Sequence, residues 1–320
     1  MEHGKYAFAH TSGMSAHITL LNLLQAGDHV LCVDDVYGGT QRYLRRILSP
    51  NTTIQVDFSD FSNIAEFKKN LLPNTKLVWL ETPTNPTLKV FDIKAIANAC
   101  KGSGAIFVVD NTFATAVNQN PLDLGADVVV HSVTKYIGGH SDIIGGCSVM
   151  NSKELYDRLF FVMKSMGTGM SAFDAWLAHR SMKTLEVRFK KAESNAIAVA
   201  NAINKHKKVL QTIYPGLKSH PQYDLIQRQQ RGPGAMISFK IKGGIKETTH
   251  FLTNLKLFTL AESLGGVESL AEAPSVMTHG SVPAAQRKLL GIEDNFIRLS
   301  VGIESEQDLV KDVVQALDRL

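Results

Sequence analysis

The sequence predicts an α/β fold: a large, mostly parallel sheet covered by helices, followed by a smaller α+β unit. Three observations carry this. Short β-branched runs alternate with longer amphipathic ones, several of those runs end in Asp, Glu or Ser, and the texture changes after residue 150. In order, "MEHGKYAFAH" reads as a helix tail over residues 1–3, a stop at Gly4 and a strand "YAFAH". Strands follow at 29–35, 53–58, 76–81, 105–110 and 126–132, with helical patterns at 14–25, 62–71 and 91–101 between them. Strand, helix, strand at this spacing buries a parallel sheet on both faces. Ligands of such sheets gather at the carboxyl ends of strands, where Asp35, Glu81, Asp110 and Ser132 fall.

In the second half, one long helix over roughly 173–204 precedes predicted strands 234–243, 258–266 and 295–302 and helices 246–254 and 305–319. The boundary falls near this helix, with residues 1–185 as the large domain and 186–320 as the small one. A domain seldom opens on a helix end, so the expectation is that a segment which normally packs ahead of Met1 is absent.

Composition narrows the function. Apolar residues make up 44% and charged residues 20%, and 34 Lys+Arg against 30 Asp+Glu leaves +4 with no basic block. Nucleic acid is not an expected partner, and without an apolar run of about 18 residues neither is a membrane. Cys32, Cys100 and Cys147 lack zinc spacing and sit in or beside apolar sequence, which predicts reduced thiols and a cytoplasmic protein. With no HxxxH pair, no metal site is expected.

Lys135 stands between Ser132, Thr134 and the pair Gly138-Gly139, just beyond a buried strand. A solvated strand-end lysine is the plain reading, and its company supplies another. Asp110 closes a strand 25 residues earlier, so the two strand ends can be neighbours. "TSGMS" (11–15) opens a helix whose N–H groups, with the Ser132 and Thr134 hydroxyls, would cradle a phosphate. Tyr37 offers a flat aromatic face and Asn85 a polar group in a Pro-stiffened turn. These are the parts needed to hold pyridoxal 5′-phosphate, with Lys135 forming the Schiff base and Asp110 facing the ring nitrogen. At ~4 Å and an effective dielectric near 20, that attraction is about 4 kcal/mol, enough to set the ring's charge. The glycines are expected to leave room for the ring. Each part also has a duller reading: a capped helix start, a turn, an aspartate capping the next helix. No GxGxxG opens the first βα turn, so a dinucleotide enzyme has little support.

The segments "SVTKYIGGHSD", "VVDNTF", "DDVYGGTQRY", "ETPTNPT", "LKLFTLAESLGGVESLAEAPSVMTHGS" and "IRLSVGIE" resemble the Cys/Met-metabolism family of pyridoxal-phosphate enzymes, fold type I, from about Tyr6 to the C-terminus. The resemblance implies that Lys135 carries the cofactor, Asp110 pairs with its ring nitrogen and Tyr37 stacks on it and moves protons on the leaving group. It implies Gly13 and Met14 N–H groups at the phosphate, with Ser132 and Thr134 hydroxyls, and Asn85 near the ring's 3-oxygen. It assigns Arg298 and Ser263 to the substrate α-carboxylate, where a bidentate fork suits arginine. Glu262 and Arg42 go to the distal end of the substrate, although Glu262 could instead be a structural partner.

Family members carry several dozen residues ahead of this chain's start, including a Tyr-x-Arg element that reaches a neighbouring subunit's cofactor phosphate. No such element can be assigned here, and losing the contact would cost about 1.5–3 kcal/mol of cofactor binding. The resemblance further implies a homo-oligomer, a tetramer built as a dimer of dimers, acting on an amino-acid substrate. The closest branch is the carbon–sulfur lyase that cleaves L-cystathionine to cysteine, 2-oxobutyrate and ammonia, with hydrogen-sulfide release from cysteine as a side activity. The synthase branch and a truncated, catalytically silent subunit are the alternatives.

Overall fold

The computed structural model describes residues 1–278, 280 and 284–320. A first sheet holds seven strands: β1 (Tyr6–His10), β2 (His29–Val33), β3 (Gln55–Ser59), β4 (Thr75–Glu81), β5 (Ile106–Asp110), β6 (Val128–Ser132) and β7 (Gly146–Met150). Their order is β1-β7-β6-β5-β4-β2-β3, with β7 alone running against the rest. The central strands are buried along their length because helices cover both faces, which is why their sequences read as unbroken Val/Leu/Ile runs. β4 and β5 place Glu81 directly beside Asp110 at their carboxyl ends.

The second sheet, β8 (Val209–Ile213), β9 (Met236–Ile241), β10 (Thr259–Leu260), β11 (Leu270–Glu272) and β12 (Phe296–Ser300), has the order β10-β11-β12-β9-β8. Its core is continuous with residues just past β6: Val133, Tyr136 and Ile137 pack in one cluster with Phe189, Phe239 and Leu299. A separate core lies under the first sheet, around Trp79, Phe107 and Val128.

Several expectations need correction. The long helix is two helices, Ala172–Met182 and Leu185–Asn204. The Ser181 carbonyl accepts from Thr184 Oγ1 (3.1 Å) and Arg188 Nη2 (3.0 Å), which ends the first helix there. The strand expected over 258–266 spans two residues, because the Glu262 and Ser263 carbonyls turn to accept from Arg298 instead of joining the sheet. Residues 1–3 form no helix. Glu2 is buried and accepts from His131 Nε2 (2.6 Å) and Asn111 Nδ2 (2.7 Å). Of the motif segment 255–281, His279 and Ser281 lie outside the described residues.

Candidate active site

The carboxyl ends of β4, β5 and β6 open into a cavity of about 420 Å³, within the range of small-molecule sites. Gly13, Met14, Tyr37, Arg42, Asn85, Asp110, Ser132, Thr134, Lys135, Glu262 and Ser263 all line it. Asp35 does not: it lies two residues past β2, buried, and accepts from the Thr87 hydroxyl.

Lys135 follows β6 and is held through its own N–H to the Ser132 carbonyl (3.2 Å). Its Nζ donates to Ser263 Oγ at 3.2 Å. Burial, and then the nearby Arg298 cation, lower the Lys135 pKa from its ordinary value. The free-base amine is therefore easier to reach than on an exposed lysine.

Gly138 and Gly139 do not line the cavity, so they leave no room for a ring. Gly139 adopts a left-handed backbone (φ 69°), and a methyl there would overlap the Arg188 guanidinium. Arg188 donates to the Tyr136 (2.8 Å) and Ile137 (3.3 Å) carbonyls and so pins the turn after Lys135.

The helix Gly13–Leu21 is capped by Ser12, whose Oγ accepts from Ser15 N (3.0 Å). Helix geometry leaves the Gly13 and Met14 N–H groups without an intrahelical acceptor at the cavity wall. A methyl on Gly13 would sit 3.1 Å from Ser132 Cβ. Glycine thus keeps this corner open and lets the backbone amides face the Ser132 side chain.

Asp110 and Glu81 are adjacent buried carboxyls with opposite fates. Burial raises Asp110, but a hydrogen bond and charge from His17 and the Thr112 hydroxyl and N–H outweigh it, holding Asp110 below the usual carboxylate range. Asp110 Oδ1 accepts from Thr112 Oγ1 (2.6 Å) and Thr112 N (3.0 Å), while Oδ2 lies 3.4 Å from His17 Nε2. Burial and the Asp110 charge drive Glu81 well above its ordinary value, although the Tyr37 and Asn85 N–H groups donate to it. Of the two, Asp110 is the easier to ionise.

Arg298 is not a lining residue. It is 1% exposed on β12, behind the cavity floor. Its Nη1 donates to Asn85 Oδ1 (2.9 Å) and pairs with Glu272 Oε1 (2.9 Å), its cross-strand neighbour. Nη2 donates to the Glu262 (2.8 Å) and Ser263 (2.9 Å) carbonyls.

This geometry has known counterparts. The family described as Cys/Met metabolism PLP-dependent enzyme matches residues 1–318. The chain belongs to that family. Cystathionine gamma-lyase of Dictyostelium discoideum is 53% identical over 318 residues, covering 99% of this chain and 82% of that protein. The Homo sapiens protein of the same name is 49% identical, with 78% of its length covered. Among solved structures, metB from Corynebacterium glutamicum superposes with a TM-score of 0.96 at 43% identity, and cystathionine gamma-lyase from Lactobacillus plantarum complexed with L-serine with 0.96 at 39%; each match covers 99% of this chain, and 82% and 83% of those chains.

The residues present fit the cofactor of Cys/Met metabolism PLP-dependent enzymes. A corner kept open by Gly13 meets amide and hydroxyl donors, an anion sits at Asp110, and a desolvated amine at Lys135 lies in the same cavity. Sequence reasoning missed His17, Thr112 and Glu272, and gave Glu81 no role beyond a polar strand end. Thr112 had a signal, since Asp-x-Thr folds into a local turn on the aspartate oxygen. Glu81 had one too, in its shared strand-end position with Asp110; Glu272 had none.

Tyr37 is 42% exposed at the mouth, and Gly39 makes its position possible, because a methyl on Gly39 would overlap the Tyr37 ring edge. Gly39→Ala is therefore expected to displace the ring and lower turnover about 10–100-fold. Borohydride labelling at Lys135 should stay intact; turnover within twofold of the parent would refute this account of Gly39.

Proposed function

We propose that this chain is a pyridoxal-phosphate-dependent cystathionine γ-lyase, releasing L-cysteine, 2-oxobutyrate and ammonia from L-cystathionine. One observation carries the reading: a half-buried amine of lowered pKa, Lys135 Nζ, shares a single cavity with Asp110, Tyr37, Glu262 and Arg42. The names of the relatives near 50% identity support the same reaction. When bound, pyridoxal phosphate supplies an aldehyde carbon for amines and a ring that accepts electrons.

The chain does the rest. Lys135 Nζ would hold the aldehyde carbon and, once free, is the base placed to take the substrate's Cα proton and to deliver protons further along the substrate. Asp110, held below the usual carboxylate range, would face the ring nitrogen and keep it protonated. Burial, ahead of the opposing Arg42 cation, raises the Tyr37 pKa, so its phenol stays protonated and donates to the departing sulfur. The substrate α-carboxylate enters beside Ser263 and displaces the neutral carbonyl acceptors on Arg298 Nη2, because an anionic acceptor binds a guanidinium more strongly. Glu262 and Arg42, both exposed at the mouth, take the distal ammonium and carboxylate.

Self-association and a cytoplasmic location complete the proposal. Exposed Phe161 (72%), on the helix Lys153–Met166, and the stacked pair Phe173 (67%) and Trp176 (57%), on the helix Ala172–Met182, are apolar side chains that a second copy would cover. The test is 2-oxobutyrate release from L-cystathionine, run beside cystathionine formation from an activated homoserine, on protein whose mass is measured by light scattering. Release faster than formation, by an oligomer, is expected. Faster formation would make the chain a synthase, absence of both would make it a silent subunit, and a monomer mass would refute association.

A further inference from the structure

His17 has no part in the scheme above, yet it lines the same cavity and reaches Asp110 from a different element than Thr112 does. It lies one turn into the helix Gly13–Leu21, four residues after Gly13, so that it shares the sheet-facing side of that helix. The ring is 3% exposed and packs edge-on against Trp79, with centroids 4.4 Å apart. Both nitrogens are placed: Nδ1 is 2.9 Å from Thr40 Oγ1, and Nε2 is 3.4 Å from Asp110 Oδ2. Thr40 is itself buried, on the short helix Gly38–Tyr43.

The tautomer follows from this arrangement. Asp110 Oδ2 can only accept, so Nε2 carries a proton toward it, and in the neutral ring Nδ1 then accepts from the Thr40 hydroxyl. Glu81, the neighbouring carboxyl, takes its two hydrogen bonds from the backbone N–H groups of Tyr37 and Asn85. Two buried carboxyls side by side cannot both ionise. The donors at Asp110 are two hydroxyl or amide groups from Thr112 and one imidazole.

We propose that His17, held by the Thr40 hydroxyl, is a positioning residue that decides which of the two carboxyls, Asp110 or Glu81, bears the negative charge facing the cofactor ring. Without the imidazole, the charge is shared with Glu81 and the ring nitrogen loses its counter-charge. The inference rests on the proposed pairing of Asp110 with that nitrogen.

The experiment uses holoenzyme loaded with pyridoxal phosphate carrying ¹⁵N in the ring, read by the ¹⁵N chemical shift and by cofactor Kd. Asp110→Asn is the reference and should move the shift toward the unprotonated value. His17→Leu, which fills the space without a donor, should move it in the same direction and weaken cofactor binding about tenfold or more. His17→Gln, which can still donate to Asp110, should recover most of both. If His17→Leu matches the parent while Asp110→Asn does not, the role given to His17 is overturned and the Asp110 pairing stands. If Asp110→Asn also leaves the shift unmoved, the pairing itself fails, and this inference with it. Equal effects of Leu and Gln at position 17 would reduce the residue to packing and overturn the proposal. Should His17→Leu not fold, ¹⁵N-histidine spectra of the parent holoenzyme decide: a protonated Nε2 on His17 is required, and an unprotonated one overturns it.

Discussion

Lys135→Ala is expected to cut 2-oxobutyrate release from L-cystathionine by about 10³-fold or more, since it removes both the covalent attachment and the acid–base group. The cofactor still has its phosphate corner and Asp110, so the variant should bind pyridoxal phosphate, more weakly and without the absorbance band of the lysine-bound form. Borohydride reduction of parent holoenzyme should label Lys135. The geometric reason is the placement of Nζ, 3.2 Å from Ser263 Oγ in the cavity that Asp110 also lines, where half-burying a lysine with no chemical task would carry a desolvation cost. Activity within tenfold of the parent, or label on another residue, would refute the assignment.

Arg298→Leu is expected to act twice. Loss of the fork should raise the KM for cystathionine about 10–100-fold, the value of charge-assisted hydrogen bonds to a carboxylate. It should also cost about 3–5 kcal/mol of stability, because Glu272 on β11 is left as a buried acid without its partner. Burial already pushes Glu272 up to about 7 against the pull of Arg298. Removing the cation drives it higher still. A carboxyl raised in the folded state favours folding fully below its unfolded pKa and loses that contribution as pH climbs toward the folded value. The variant should therefore melt lower at pH 8 than at pH 5.5, relative to the parent at each pH. Adding Glu272→Leu should restore much of the melting temperature and none of the KM. Equal melting losses at both pH values would sink the account of the pair.

The first sheet was legible because its central strands are buried on both faces and so declare themselves as continuous apolar runs, with chemistry at their ends. Lys135, Asp110 and Ser132 were found that way. β7 was not, since "GCSVM" is a five-residue run with a polar centre, and its place between β1 and β6 comes from tertiary pairing. The joint at 183–184 was hidden for a similar reason. The local sequence favours helix throughout, and the carbonyl that breaks it is claimed by Arg188 from the following turn. His17 was invisible for a third reason: a histidine on an apolar helix face looks the same whether it fills space or serves a carboxylate across the sheet.

The grip of Arg298 on Asn85 from one half of the molecule and on the Glu262 and Ser263 carbonyls from the other works like a rivet under the cleft. Tyr37, Arg42 and Glu262 stand above it at the rim, in bulk water. The far end of a substrate can stay hydrated and exchange freely there, while its carboxylate, on taking over the Nη2 side of the guanidinium, leaves the Asn85 bond on Nη1 to hold the floor together.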